Sequence, residues 1–444
     1  MKTGLPAAAA ALLFIPTEAP AAPSPAEQQM IATVDAEQQR TLDMLERWVN
    51  QNSGSHNLPG VEAVGRMVRA ELEPLGFAVR WIPLPETGRA GHLVAIHKGK
   101  AGRKRLLLIG HLDTVFERDS PFQRWVRNGD SANGPGASDD KGGDAVIVAA
   151  LRAMHSAGAL SGANIEIVLT GDEEDSGSPL DVARRDLVTA GRRADAALDF
   201  EGLAQENGLD MGSVARRGVV DWTLRVTGRA AHSSGVFSPT AGYGANYELA
   251  RILDSFRRQL PEDKLTYNVG LIAGGTTAAL DRDEVRASVT GKTNVIAAQA
   301  VARGDLRAIS PEKLTRATAS MRAIVAQSLP GARAEILFDG AGYPPMPPTP
   351  GNEALLAALN AVNRDLGLAE MPPLDPIKRG AGDISFVAGD TDGLVGMGPS
   401  SSGDHTNRET VDIPSIFKQA KRAAILMSRL AREQGEPAAR NPVL

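Results

Sequence analysis

Five short stretches of this chain carry residues suited to divalent-metal chemistry. They are His111-Leu112-Asp113, the glycine-rich loop 134–143 with Asp139 and Asp140 side by side, Asp172-Glu173-Glu174, Asp199-Phe200-Glu201, and Gly403-Asp404-His405. Together they offer two imidazoles and several carboxylates, the mixed nitrogen and oxygen donor set that zinc accepts. The chain has no cysteine. Thiolate ligands, disulfides and a cysteine nucleophile are therefore excluded, and any metal must be held by His, Asp and Glu.

Taken singly, each stretch has two readings. His111 either closes a strand end or binds a metal, with Asp113 accepting a hydrogen bond from the other ring nitrogen and fixing the tautomer. Loop 134–143 lacks both the Gly-Lys-Ser/Thr ending and the GxGxxG spacing of phosphate cradles. Its two aspartates suit either the dipole of a helix N-terminus or a carboxylate bridging two cations. Asp172-Glu173-Glu174 is either a solvated acidic turn or a place where one glutamate binds an ion and its neighbour stays free as a general base. His232, in Ala230-Ala231-His232-Ser233-Ser234, reads from the residues alone as a surface histidine.

The elements that must position these residues follow an α/β pattern. Buried-type strands are predicted at 105–110, 164–170 and 195–200, with helices at 36–50, 61–75 and 144–157. In such sheets ligands collect at the carboxyl ends of strands, where most of the five stretches fall. The character changes near residue 215. Val220, Trp222, Leu224 and Val226 alternate with polar residues, the period of a sheet covered on one face. A helix (242–259), strands (265–272 and 294–306) and a helix (311–328) follow, so 215–334 reads as an α+β insert of small-domain size. The proline-rich run 343–350 marks the return to the first domain, which ends with a strand near 393–397 and a helix at 413–432. The expected divisions are 1–22 as a signal peptide, 23–214 and 335–444 as one α/β domain in two parts, and 215–334 as the insert.

At 444 residues the chain is long enough for more than one core. Its net charge of −5 and lack of a dense Lys/Arg tract give no sign of a nucleic-acid partner. Lys2, an apolar run from Leu5 to Ile15, and Ala19-Pro20-Ala21 have the layout of a secretory signal, too short to span a bilayer, and point to export, in bacteria to the periplasm. No other segment is apolar enough for a membrane span.

In order and context the stretches resemble the M20 family of metallopeptidases and amidohydrolases, especially its glutamate carboxypeptidase-like branch. The likeness runs from Ser53 to the C-terminal helix and is most specific at 110–114, 134–143, 172–174 and 403–409. It implies a catalytic domain with a mixed sheet flanked by helices, two zinc ions per chain, and an α+β lid that forms a homodimer interface. By this resemblance His111 and Glu201 hold one zinc, Glu174 and His405 the other, and Asp139 bridges both. Asp113 is the orienting carboxylate and Glu173 the general base. His232 matches a lid histidine that reaches across to the other subunit's active site and polarises the substrate carbonyl. Asn294 and Arg307 match lid positions that bind substrate, and Asp140 serves geometry rather than ligation.

Two departures bear on specificity. Asn294-Val295-Ile296 is followed by Ala297 where the family commonly has proline. The stretch 340–343 lacks an arginine that related carboxypeptidases place near a substrate carboxylate, which leaves Arg307 or Arg379 to supply that charge. The expected reaction is hydrolysis of an amide or peptide bond that releases a C-terminal amino acid, by a carboxypeptidase or an N-acyl-amino-acid amidohydrolase. An aminopeptidase or dipeptidase is the alternative. A non-catalytic periplasmic binder of peptide or metal would have no use for Glu173.

Overall fold

The computed structural model describes residues 22–282, 284–339 and 342–435. Apart from Ala22, the expected signal segment lies outside them.

The core of the larger body is a six-stranded mixed sheet in the order 78–84, 89–97, 164–170, 105–111, 196–199, 393–395. The last four strands are mutually parallel, and the first two join as an antiparallel hairpin on one edge. Alternate side chains of Arg105–His111 feed two cores. Leu106 and Leu108 pack beneath the helices Pro25–Ala36, Lys141–Ser156 and Ile413–Leu430, and Leu107 and Ile109 pack with Leu187, Ile384 and Val387 on the opposite face. Burial on both faces explains why this strand reads as an unbroken apolar run. Because strands 164–170, 105–111 and 196–199 run the same way, Thr170, His111 and Asp199 all finish at one end of the sheet, and the acidic stretches follow directly.

The second sheet is antiparallel, in the order 266–267, 299–308, 218–227, 333–338, with Leu271–Gly275 also paired to 299–308. The helices Gly244–Gln259 and Pro311–Val325 cover one face, where Trp222, Leu224, Val226, Ile252, Phe256 and Met321 are buried together. The alternation that signalled this sheet is that of Gly218–Thr227, whose Asp221, Arg225 and Thr227 face out.

Several boundaries differ from those read in the sequence. The second sheet continues through Arg333–Phe338, beyond residue 334, because that strand pairs with Gly218–Thr227. The segment expected as one strand over 265–272 is broken at 268–270. The strand expected from 294 begins at Gln299, and 294–298 is a loop whose Val295 bridges to His232. The helix Pro25–Ala36 was hidden by its proximity to the Ala/Pro-rich leader. Its signal was present in Ser24-Pro25-Ala26-Glu27, which forms a reciprocal capping box.

The chain passes between the two bodies twice, side by side: Arg216 and Met346 exchange both backbone hydrogen bonds, and Val219 N–H donates to Tyr343 O. At Gly218 an added Cβ would lie 2.5 Å from Pro345 N, so glycine permits this close approach. No helix among the described residues is long and apolar enough to cross a membrane.

Candidate metal centre and active site

The parallel strand ends bring three of the five acidic and histidine-bearing stretches together, the loop opening the helix Lys141–Ser156 adds Asp139, and the loop before the last helix adds His405. Two ligand groups result: His111, Asp139 and Glu201, and Asp139, Glu174 and His405, each with its donor atoms within 4.8 Å of one another. Asp139 is common to both. Its Oδ1 lies 3.0 Å from His111 Nε2 and its Oδ2 3.0 Å from His405 Nε2, while His405 Nε2 is 3.3 Å from Glu174 Oε2. One carboxylate thus presents an oxygen to each group. His405 is held at φ 61°, a left-handed conformation that is uncommon outside glycine.

Electrostatics fit this donor set to cations. Burial and the neighbouring Asp139 carboxylate push the Glu174 carboxyl up to about 10. Burial and Glu201 likewise raise Glu173 well above the usual range. Burial disfavours the charged form of His111, but Asp113 and Asp139 outweigh it and raise its pKa well above the ordinary value. Carboxylates crowded this closely in a buried site need either protons or metal charge. The pair of oxygen and nitrogen groups fits two divalent cations.

Asp113 organises the centre from beneath. It is fully buried, and its Oδ1 lies 3.4 Å from His111 Nδ1. The same carboxylate accepts the backbone N–H of Glu173 (3.0 Å), the N–H of Glu174 (3.1 Å) and the Ser55 hydroxyl (2.6 Å). His111 Nδ1 is also 3.1 Å from the Asp113 backbone O, so this one residue orients both a candidate ligand and the turn that carries Glu173. The Glu173 carboxylate lines a cavity of about 300 Å³ together with Asp139, Glu174, Glu201 and His405. Larger surface grooves, such as one of 860 Å³ beside 175–181, lie off both ligand groups.

Asp172, first of the acidic triplet, turns away from the ligand groups. Its Oδ1 accepts from Arg184 Nη1 at 2.6 Å, and Arg184 Nε donates to Asp383 at 2.7 Å. This buried guanidinium clamps the 172–177 turn to the loop containing Asp383, and its Nη2 also reaches Tyr343 Oη, which donates to Glu173 O at 2.9 Å. Asp140 is fully buried, and among the described residues neither of its carboxylate oxygens has a hydrogen-bond partner and it belongs to neither ligand group.

Arg216 was missed in the sequence. It sits on the first crossing into the second body, lines the cavity, and places Nη1 3.4 Å from Glu201 and 3.7 Å from Asp199. Its Nε and Nη2 donate to Gly380 O and Ala381 O. An arginine between two predicted elements gives no periodic signal; only its place directly before the lid strand, at the domain crossing, could have marked it.

Three expected site residues are not brought into this cavity. His232 is exposed on the lid, its Nδ1 against Ser234. Asn294 is exposed beside it, its backbone O accepting from Ser233 N–H. Arg307 pairs with Asp305 at 2.6 Å, and its Nη1 approaches the cavity rim near Gly380. His232 and Asn294 form one small surface cluster on the lid.

Known proteins share this architecture. Carboxypeptidase G2 from Pseudomonas sp. is 27% identical over 405 residues, 89% of this chain and 90% of that relative. The structure of aminopeptidase PepT from Bacillus cereus covers 89% of this chain and 99% of its own at a TM-score of 0.72 and 18% identity. The Bacillus subtilis YXEP protein, described as a dinuclear metal-binding peptidase of family M20, covers 89% and 99% at a TM-score of 0.63 and 16% identity. Residues 107–429, which contain both candidate ligand groups and the whole lid, match the peptidase family M20/M25/M40, and the chain belongs to that family of hydrolases acting on peptide and amide bonds.

Proposed function

We propose that the chain is a di-zinc carboxypeptidase or N-acyl-amino-acid amidohydrolase, releasing an amino acid with a free α-carboxylate. The observation that carries this reading is the pair of ligand groups sharing Asp139, with the free Glu173 carboxylate facing the same cavity. Similarity to a carboxypeptidase over nearly the full length of both chains supports the choice of substrate end.

His111, Asp139 and Glu201 would hold one ion, and Asp139, Glu174 and His405 the other. When bound, the ions would act as Lewis acids toward the amide and make water more acidic. The chain's own groups do the rest. Asp113 keeps His111 Nδ1 engaged, so that Nε2 faces the ligand group. Glu173 takes the proton of the attacking water and returns it to the nitrogen of the leaving amine. His232 would complete the oxyanion site from the partner of a lid-mediated homodimer. Residues 1–22 would direct export.

Hydrolysis of N-acetylated amino acids is compared with that of N-free dipeptides and peptide amides, with added zinc and with chelator. Zinc-dependent turnover of the N-blocked set is expected. Turnover restricted to substrates with a free amine would replace the reading by an aminopeptidase or dipeptidase, and no turnover at all would leave a binder.

A further inference from the structure

We propose that Arg379 is the receptor for the α-carboxylate of the departing amino acid, an assignment that rests on the function proposed above. Two guanidinium groups line the cavity, those of Arg216 and Arg379. Their situations differ. Arg216 is compensated: it is ion-paired with Glu201 and Asp199, and its other donors are committed to Gly380 O and Ala381 O. Those same bonds pin the 380–381 backbone and so fix the base of the Arg379 side chain.

Arg379 forms no ion pair among the described residues, although the Glu201, Asp199 and Asp139 carboxylates act on it from a distance. Among the described residues its side chain makes one hydrogen bond, from Nη2 to Gly202 O, and its buried Nε has no partner. Burial and the adjacent Arg216 charge lower its pKa, outweighing the opposite effect of the Glu201, Asp199 and Asp139 carboxylates. A half-buried guanidinium with open donors is costly unless an anion completes it. Gly202 follows the candidate ligand Glu201, so the bond to Gly202 O anchors the group beside that residue on the cavity wall. Arg307, the other arginine suggested by the sequence, already has Asp305 as its partner. A planar fork beside the site of bond cleavage suits a carboxylate, which can accept two of its N–H groups. The cavity volume of about 300 Å³ suits a ligand of amino-acid size.

The test compares each hydrolysed substrate with its C-terminal amide, for the wild type, Arg379→Gln and Arg379→Lys. The wild type is expected to prefer the free carboxylate. Arg379→Gln is expected to lose roughly 10- to 100-fold in kcat/KM on carboxylate substrates, mainly through KM, with a much smaller loss on amides. Arg379→Lys, which keeps the charge without the fork, should recover part of the difference. Binding of N-acetyl amino acids and their amides to the Glu173→Ala protein, measured by calorimetry, gives the same comparison without turnover. Equal losses on acid and amide, no loss, or wild-type indifference to amidation would overturn the assignment. Failure of the proposed function is a separate outcome. A preference for N-free dipeptides removes it, yet the acid-to-amide comparison is still read on those dipeptides.

Discussion

Loading this centre with metal should expel protons, and the structure sets how many. Coordination requires an ionised carboxylate and a neutral imidazole. Without metal, Glu174 holds its proton up to about pH 10, because burial and the Asp139 carboxylate oppose its ionisation. That is three pH units above neutrality, so displacing this proton at pH 7 costs about 4 kcal/mol of metal-binding free energy. His111 likewise favours its protonated form, its pKa raised well above the ordinary value by Asp113 and Asp139 against the effect of burial. Asp139 itself is already ionised, its pKa lowered by hydrogen bonds from His111 and His405 that outweigh its burial. At least two protons should therefore leave per chain at pH 7, with His405 and Glu173 adding to the number. The sign follows directly: the metal-free state binds more protons, so affinity rises with pH, by about 100-fold per pH unit while two protons are released. The assay is calorimetric titration of chelator-stripped protein with zinc in buffers of different ionisation enthalpy. The slope of observed heat against buffer enthalpy gives the proton count, and Glu174→Gln should lower it by one. A slope below one proton per chain would refute the reasoning.

Four further outcomes are expected. Glu173→Ala should keep the fold and bound metal while kcat falls by about 10²–10⁴, read from steady-state kinetics and metal analysis; a variant with wild-type kcat removes Glu173 from the mechanism. Asp113→Ala should weaken metal affinity by about 10- to 100-fold, since His111 and the 173–174 turn lose a common anchor, and a competition titration with a chromogenic chelator would report it. Arg184→Met leaves Asp172 and Asp383 buried without their cation and should destabilise the larger body by about 3–5 kcal/mol in urea melts. If His232 acts across a lid dimer, mixing inactive His232→Ala and Glu173→Ala chains should restore part of the activity; no recovery after demonstrated subunit exchange counts against it.

The parts of the fold that were legible in sequence are those in which one physical demand dominates. Arg105–His111 must be apolar on both faces, and Gly218–Thr227 on alternate positions; both patterns survive in the residues themselves. The hairpin Ala78–Leu84 with Arg89–His97 was not legible. Its outer strand is partly exposed and carries Arg80, Trp81 and Pro83, so neither periodicity is clean. The helix Pro350–Asp365 was lost behind the preceding prolines, although Thr349 caps it by accepting from Asn352 N–H.

The candidate site was legible for a different reason. Metal ligands are constrained in type and lie next to strand ends that can be located, so residue identity and position carry the same information. What sequence could not show is how neighbouring carboxylates come to have different tasks. Asp172, Glu173 and Glu174 are adjacent and chemically alike, yet Asp172 is bound to Arg184, Glu173 faces the cavity free, and Glu174 meets His405. The division is imposed by groups far along the chain. Asp113 holds the backbone N–H of both glutamates, while Arg184 draws Asp172 the other way, toward Asp383. The same logic separates the two cavity arginines: Arg216 is ion-paired with Glu201 and Asp199 and donates to two carbonyls, although its Nη1 makes no hydrogen bond, whereas Arg379 forms no ion pair among the described residues and leaves its Nε unfilled. Chemical role in this centre is set less by the identity of each charged residue than by which of its hydrogen-bonding positions the surrounding fold has already filled.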